Sequence, residues 1–103
     1  MAITDASFQS KVLGAPLPVL LDCWAPWCGA CRTVGPVIDE LAGLWRGKVR
    51  VAKLNVDQNP QIAARFQIKS IPSLLIFDQG RLVETLLGAL PKEEIAQKMA
   101  PYL

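Results

Sequence analysis

Histidine is absent from this 103-residue chain. That one absence excludes Cys–His and Ser–His nucleophilic catalysis, HExxH zinc sites and the Cys2His2 finger together. Charge is scarce as well. Eleven Lys and Arg oppose nine Asp and Glu, a net charge of +2. Basic residues never form a run of three and gather on no helix face, so nucleic-acid binding is not expected. No apolar stretch approaches the roughly eighteen residues of a membrane span. The opening MAITDASFQS has neither a basic n-region nor an apolar core of signal-peptide length. A soluble, cytoplasmic protein is expected. Repeats, linkers and low-complexity tracts are also missing, and the length leaves room for one core, a single domain over residues 1–103. Three cysteines, an odd number, argue against a disulfide scaffold.

What is present follows a regular order. Thr4 can cap a helix over Asp5–Leu13 with Phe8 and Val12 on one face, ended by Gly14, Pro16 and Pro18. Val19–Trp24 is an apolar run broken only by Asp22, which reads as a strand covered on both faces. After the APWCG corner a helix is expected from Cys28 to about Trp45, striped by Val34, Ile38, Leu41 and Trp45 and kinked at Pro36. Val49–Val56 reads as a second strand. Asn59 with Pro60 opens a short helix through Phe66, with Asn59 as its cap. Ile71–Phe77 and Arg81–Leu87 flank the turn DQG as a hairpin. Pro91 opens a last helix ending near Ala100, with Ile95 and Met99 one turn apart. This order predicts an α/β domain, a mixed sheet with helices on both faces.

Cys28 and Cys31 stand where the first strand gives way to its helix. Residues three apart at a helix start are roughly 5–6 Å apart between Cα atoms, within disulfide range. So short a ring removes little entropy from the unfolded chain, and its value is therefore chemical rather than structural. Cys28 meets the unpaired N–H groups and partial positive charge of the helix start, which favour a thiolate. Cys31, a turn further in, is expected to be more buried and to resolve the mixed disulfide that Cys28 forms. A zinc site would need two more ligands, and only Cys23 remains. Asp22, buried, would have a raised pKa and could take the Cys31 proton; at an exposed strand end it would do nothing. Lys53 in VAKLNV is either its partner or an ordinary exposed lysine.

WAPWCGACRTVGPVIDEL, together with VAKLNVDQNPQIAARFQIKSIPSLLIFDQGRLVETLLGAL, resembles the thioredoxin family over nearly the whole chain. A bare CxxC is weak. The specific signal is its combination with WCG, the proline five residues after the second cysteine, KLNVDQNP and SIPSLLIF. The resemblance implies a five-strand mixed sheet, its first strand short or absent, flanked by four helices. It implies a cis Ile71–Pro72 bond facing the cysteines, although Pro72 alone reads as a strand opener. It also implies an apolar apron around the attacking sulfur from Trp27, Gly29, Ile71, Pro72, Gly88 and Ala89, with Ala30, at the first turn of the helix, among the substrate-binding residues. Trp24 and Trp45 are expected in the core. The implied activity is reduction of protein disulfides without a bound cofactor or metal. Disulfide-bearing clients and an NADPH- or ferredoxin-dependent thioredoxin reductase are its implied partners.

Three departures bear on this. Ala30 stands where relatives carry proline, which makes a less reducing couple the expectation. Cys23 replaces an aromatic residue and reads as a small buried hydrophobe or, more sharply, a regulatory thiol. The opening MAI leaves little for a first strand, so a partly bare sheet edge is expected, with a monomer or a weak dimer as the two readings. The rival readings are a more oxidising disulfide oxidase or isomerase, and a binding module that does not use its cysteines.

Overall fold

A computed structural model describes all residues, Met1–Leu103. The apolar run forms β1 (Val19–Trp24) as expected, and every residue but the last is buried. Its neighbours are β2 (Arg50–Asn55), parallel to it, and β3 (Ser73–Asp78), antiparallel. β4 (Arg81–Leu87) pairs antiparallel with β3, giving the order β2-β1-β3-β4. The hairpin turn is Gln79–Gly80. Both have positive φ, 52° and 77°, the backbone a two-residue turn needs to match strand twist.

The sheet has four strands rather than five. What remains of a first strand is one parallel bridge, Ala2 to Lys53. There the Lys53 N–H donates to the Met1 carbonyl and the Ile3 N–H to the Lys53 carbonyl, each at 2.8 Å. Beyond this bridge the segment leaves the outer edge of β2 unpaired. β3 likewise starts at Ser73, not Ile71, after the cis Ile71–Pro72 bond.

The helices follow the expected order with shifted ends. Thr4 caps the first through Oγ1, which accepts the Ser7 N–H at 3.1 Å. Residues 5–7 are only turns, however, and Gln9–Leu13 is widened to a π-helix. α1 (Gly29–Leu44) has Cys28 as its N-cap and continues through Pro36. α2 (Pro60–Arg65) is preceded by Asn59 as expected, but the Asn59 side chain does not cap it. Asp5 does so from across the fold, its carboxylate accepting the N–H groups of Gln61 and Ile62 at 3.2 and 2.9 Å. α3 (Lys92–Met99) follows Pro91, and the chain continues past Ala100 as a 3-10 turn to Tyr102.

Alternation along the strands divides the core in two. Val19, Leu21 and Cys23 of β1 join Phe8, Val12, Leu54, Ile62, Leu75 and Phe77 on one face. Leu20 joins Val34, Ile38, Leu41, Trp45, Leu74, Ile76, Ile95 and Met99 on the other, under α1 and α3. Each such side chain contributes about 1.5–3 kcal/mol by leaving water. Against that background three buried polar residues stand out: Asp22, Asn59 and Ser73. Asn59 accepts the Asp5 N–H and donates to the Asn55 carbonyl, and the Ser73 hydroxyl donates to the Ser70 carbonyl. Asp22 Oδ1 has no partner at all.

Candidate active site

The sharp corner after Trp24 brings Cys28 to the cap of α1, and one helical turn carries Cys31 beneath it. The two form a disulfide, with Cα atoms 5.3 Å apart. The Cys31 amide N–H donates to Cys28 Sγ at 3.1 Å, so the sulfur occupies the place of an N-cap acceptor. An amide there stabilises negative charge on that sulfur whenever the pair is reduced. Cys28 Sγ also lies 3.7 Å from the Ile71 carbonyl oxygen. The expected difference in depth is not observed, since both cysteines are 6 % exposed. The Ile71 carbonyl lies against Cys28 Sγ, and the cap position is as covered as the first turn. The two sulfurs differ in what surrounds them rather than in depth.

Cys31 faces a cleft of about 230 Å³ lined also by Asp22, Trp24, Pro26, Arg32, Gly35 and Lys53. Asp22 is buried, as one of the two sequence readings required. Burial raises its pKa from the ordinary 3.8 to about 6; the Lys53 charge opposes that rise and the Asp39 charge adds to it. Lys53 is the register partner of Asp22 across β1 and β2, yet its ammonium pairs with Asp39 Oδ1 at 2.9 Å. Proximity is thus as expected and pairing is not. Asp39 was missed, although Cys31, Gly35 and Asp39 recur at intervals of four on α1, a spacing that puts them on one helix face.

The expected apron is only partly flat and open. Trp27 is 68 % exposed, and its indole N–H donates to Asp57 Oδ2 at 2.9 Å, a partner the sequence did not suggest. Gly29, Ala30 and Ala89 are exposed, Ile71 and Gly88 half-buried. Pro72 is buried, and its carbonyl accepts the Gly88 N–H at 2.9 Å, which ties the two loops together. Trp45 is core as expected, whereas Trp24 is only half-buried. It ends β1, where the sheet runs out and the cleft begins.

A family model for thioredoxin matches residues 1–101. The chain belongs to the thioredoxin family. It is 48 % identical to thioredoxin 1 of Nostoc sp. over 98 % of this chain and 94 % of that protein. It is 50 % identical to a thioredoxin of Synechocystis sp. with the same coverage. With a chloroplastic M-type thioredoxin of Chlamydomonas reinhardtii the identity is 45 %, over 99 % of this chain and 73 % of that one. A thioredoxin whose capped cysteine pair can open and close is a thiol–disulfide oxidoreductase, here a protein-disulfide reductase. Its general partners are proteins bearing disulfides and a reductase that restores the dithiol. No helix is long and apolar enough to cross a membrane.

Proposed function

We propose that Cys28 is the attacking sulfur and Cys31 the resolving one. The Cys31 amide directed at Cys28 Sγ carries this reading, because it favours charge on that sulfur alone. The Cys28 thiolate attacks one sulfur of a client disulfide, forming a mixed disulfide and releasing the other sulfur as a thiolate. Cys31 gives its proton to the Asp22 carboxylate, and the cleft they share is roomy enough for a water to carry it. The Cys31 thiolate then attacks Cys28 Sγ, which closes the ring and frees the second client thiolate. Two electrons have passed to the client. With a pKa of about 6, Asp22 is mostly ionised at neutral pH and ready to accept. Lys53 acts on it as a nearby charge.

Clients dock, on this reading, along Ile71. No backbone hydrogen bond engages that residue, so its N–H is open to an extended segment, and its carbonyl, now against Cys28 Sγ, would pair with the same segment. Trp27, Gly29, Ala30, Pro72, Gly88 and Ala89 form the surrounding wall. The regenerating partner is a thioredoxin reductase meeting the same rim. Reconstituting turnover with an NADPH- and with a ferredoxin-dependent enzyme decides which. A free third thiol beside a dithiol that must cycle fits a reducing, cytoplasmic setting. Residues 1–103 act as one domain and as a monomer, with the open edge of β2 as the place where a weak dimer would form. Ala30 restores an N–H and frees φ at the first turn, and we read the couple as less reducing than a proline-bearing one. Equal glutathione-equilibration potentials for the parent and Ala30→Pro would remove that reading.

Insulin reduction with dithiothreitol tests the assignment. Cys28→Ser should abolish catalysis, and Cys31→Ser should accumulate client mixed disulfides. Trapping by Cys28→Ser instead would reverse the roles, and catalysis surviving in both variants would end the redox reading.

A further inference from the structure

Asp22 and Lys53 face each other across the parallel β1–β2 pair, so their side chains leave the same face of the sheet and line the same cleft. That register offers the buried carboxylate a cation. The cation goes elsewhere: Lys53 Nζ is held by Asp39 Oδ1 at 2.9 Å, while Asp22 Oδ1 stays buried without a partner. Asp39 stands on α1, two turns beyond Cys31, with its side chain 69 % exposed. An ammonium is strongly hydrated and costly to bury. Asp39 offers it a wet partner, whereas Asp22, 1 % exposed, would require its desolvation.

We propose that Asp39 is a positioning residue: by holding the Lys53 ammonium at the edge of the cleft, it withholds from Asp22 the counter-ion that the strand register would deliver. The exposed pair itself adds little to stability. Its consequence is the charge state of the acid beneath Cys31, and it therefore rests on the reading of Asp22 as proton acceptor. The other groups around Asp22 do not take over the part. Arg32, also on α1, directs its guanidinium to the Pro26 carbonyl at 2.9 Å. From β3, the facing residue Leu74 brings no charge. Cys31 supplies the proton, and Cys23 points to the opposite face of the sheet. Released Lys53 and the lost negative charge of Asp39 act in one direction, both favouring ionised Asp22.

The test is the titration of the Asp22 side-chain carbon by 13C NMR in the oxidised protein, where no thiol chemistry intervenes. Asp39→Asn should lower the midpoint by about one pH unit, a tenfold change in protonation. Lys53→Met should raise it. In the Lys53→Met background, Asp39→Asn should produce only a fraction of its single effect. An unmoved midpoint in Asp39→Asn overturns the proposal. So does an equal displacement with and without Lys53, since Asp39 would then act by its own charge. The pH profile of insulin reduction separates this from the mechanism itself. A midpoint that moves while the acid limb of that profile stays fixed would retire Asp22 as the proton acceptor and leave its control by Asp39 intact.

Discussion

Asp22 and Cys23 are adjacent in β1, equally sealed from bulk water, and turned to opposite faces of the sheet. Asp22 looks into a cleft with Cys31, Arg32 and Lys53; Cys23 looks into a packed layer of Leu, Val, Phe and Ile side chains. Burial raises the pKa of both. For the carboxyl the result is about 6, within reach of neutral pH, and for the thiol about 12, well beyond it. The same desolvation thus makes one group a usable acid and the other inert. Burial alone does not make a reactive residue; the ordinary pKa from which an upward shift starts decides whether the group ends near neutral pH or far beyond it.

The contrast can be broken most sharply by alkylation. At neutral pH in the reduced protein, Cys23 should react on the order of a thousandfold more slowly with iodoacetamide than an unperturbed thiol, because so little of it is thiolate. Comparable labelling of Cys23 and Cys28 in the folded protein, read by mass spectrometry, would refute it. Inactivation by peroxide should be unchanged in Cys23→Ser. The packing of Cys23 favours the small buried hydrophobe over the regulatory thiol.

A second test uses stability against pH. The folded Asp22 holds its proton more tightly than the unfolded one, so stability is fullest below the unfolded pKa near 4. It then falls as pH rises through about 6. The rise from 3.8 to about 6 corresponds to about 3 kcal/mol. Asp22→Asn should remove that decline and be the more stable protein at neutral pH, as urea unfolding at pH 4 and pH 7.5 would show. A parallel pH dependence in both proteins would mean that Asp22 is not desolvated.

Smaller effects probe the inert face. Cys23→Ser puts a hydroxyl among apolar side chains and should cost roughly 1–3 kcal/mol, measured by urea unfolding. On the same side Asp5 caps α2, so Asp5→Ala should cost about 1 kcal/mol and leave insulin reduction unaltered. A loss of activity there would show that the two faces are not independent.

Several elements were legible because their causes are local. Cys28 and Cys31 sit at a strand–helix corner whose apolar run, cap position and helical stripe are all contiguous in the chain, and DQG carries its own turn geometry. Asn59 was read correctly as a helix boundary and wrongly as the capping side chain, since its acceptor is already used by the Asp5 N–H. The spacing of the pair predicts a deeper Cys31, yet Cys28 is equally buried, with the Ile71 carbonyl, distant in the chain, against its sulfur.

The parts of the chemistry can be read along the chain: a cysteine pair one helical turn apart at a helix mouth, an acid in the strand before it, and no histidine to suggest another mechanism. Those follow from short-range rules of spacing, propensity and hydrophobic period. Which polar group meets which emerges in the fold alone: Lys53 with Asp39 rather than Asp22, Trp27 with Asp57, Asp5 with the start of α2. Side-chain pairing depends on distance and solvation in three dimensions, and the order of residues along the chain records neither.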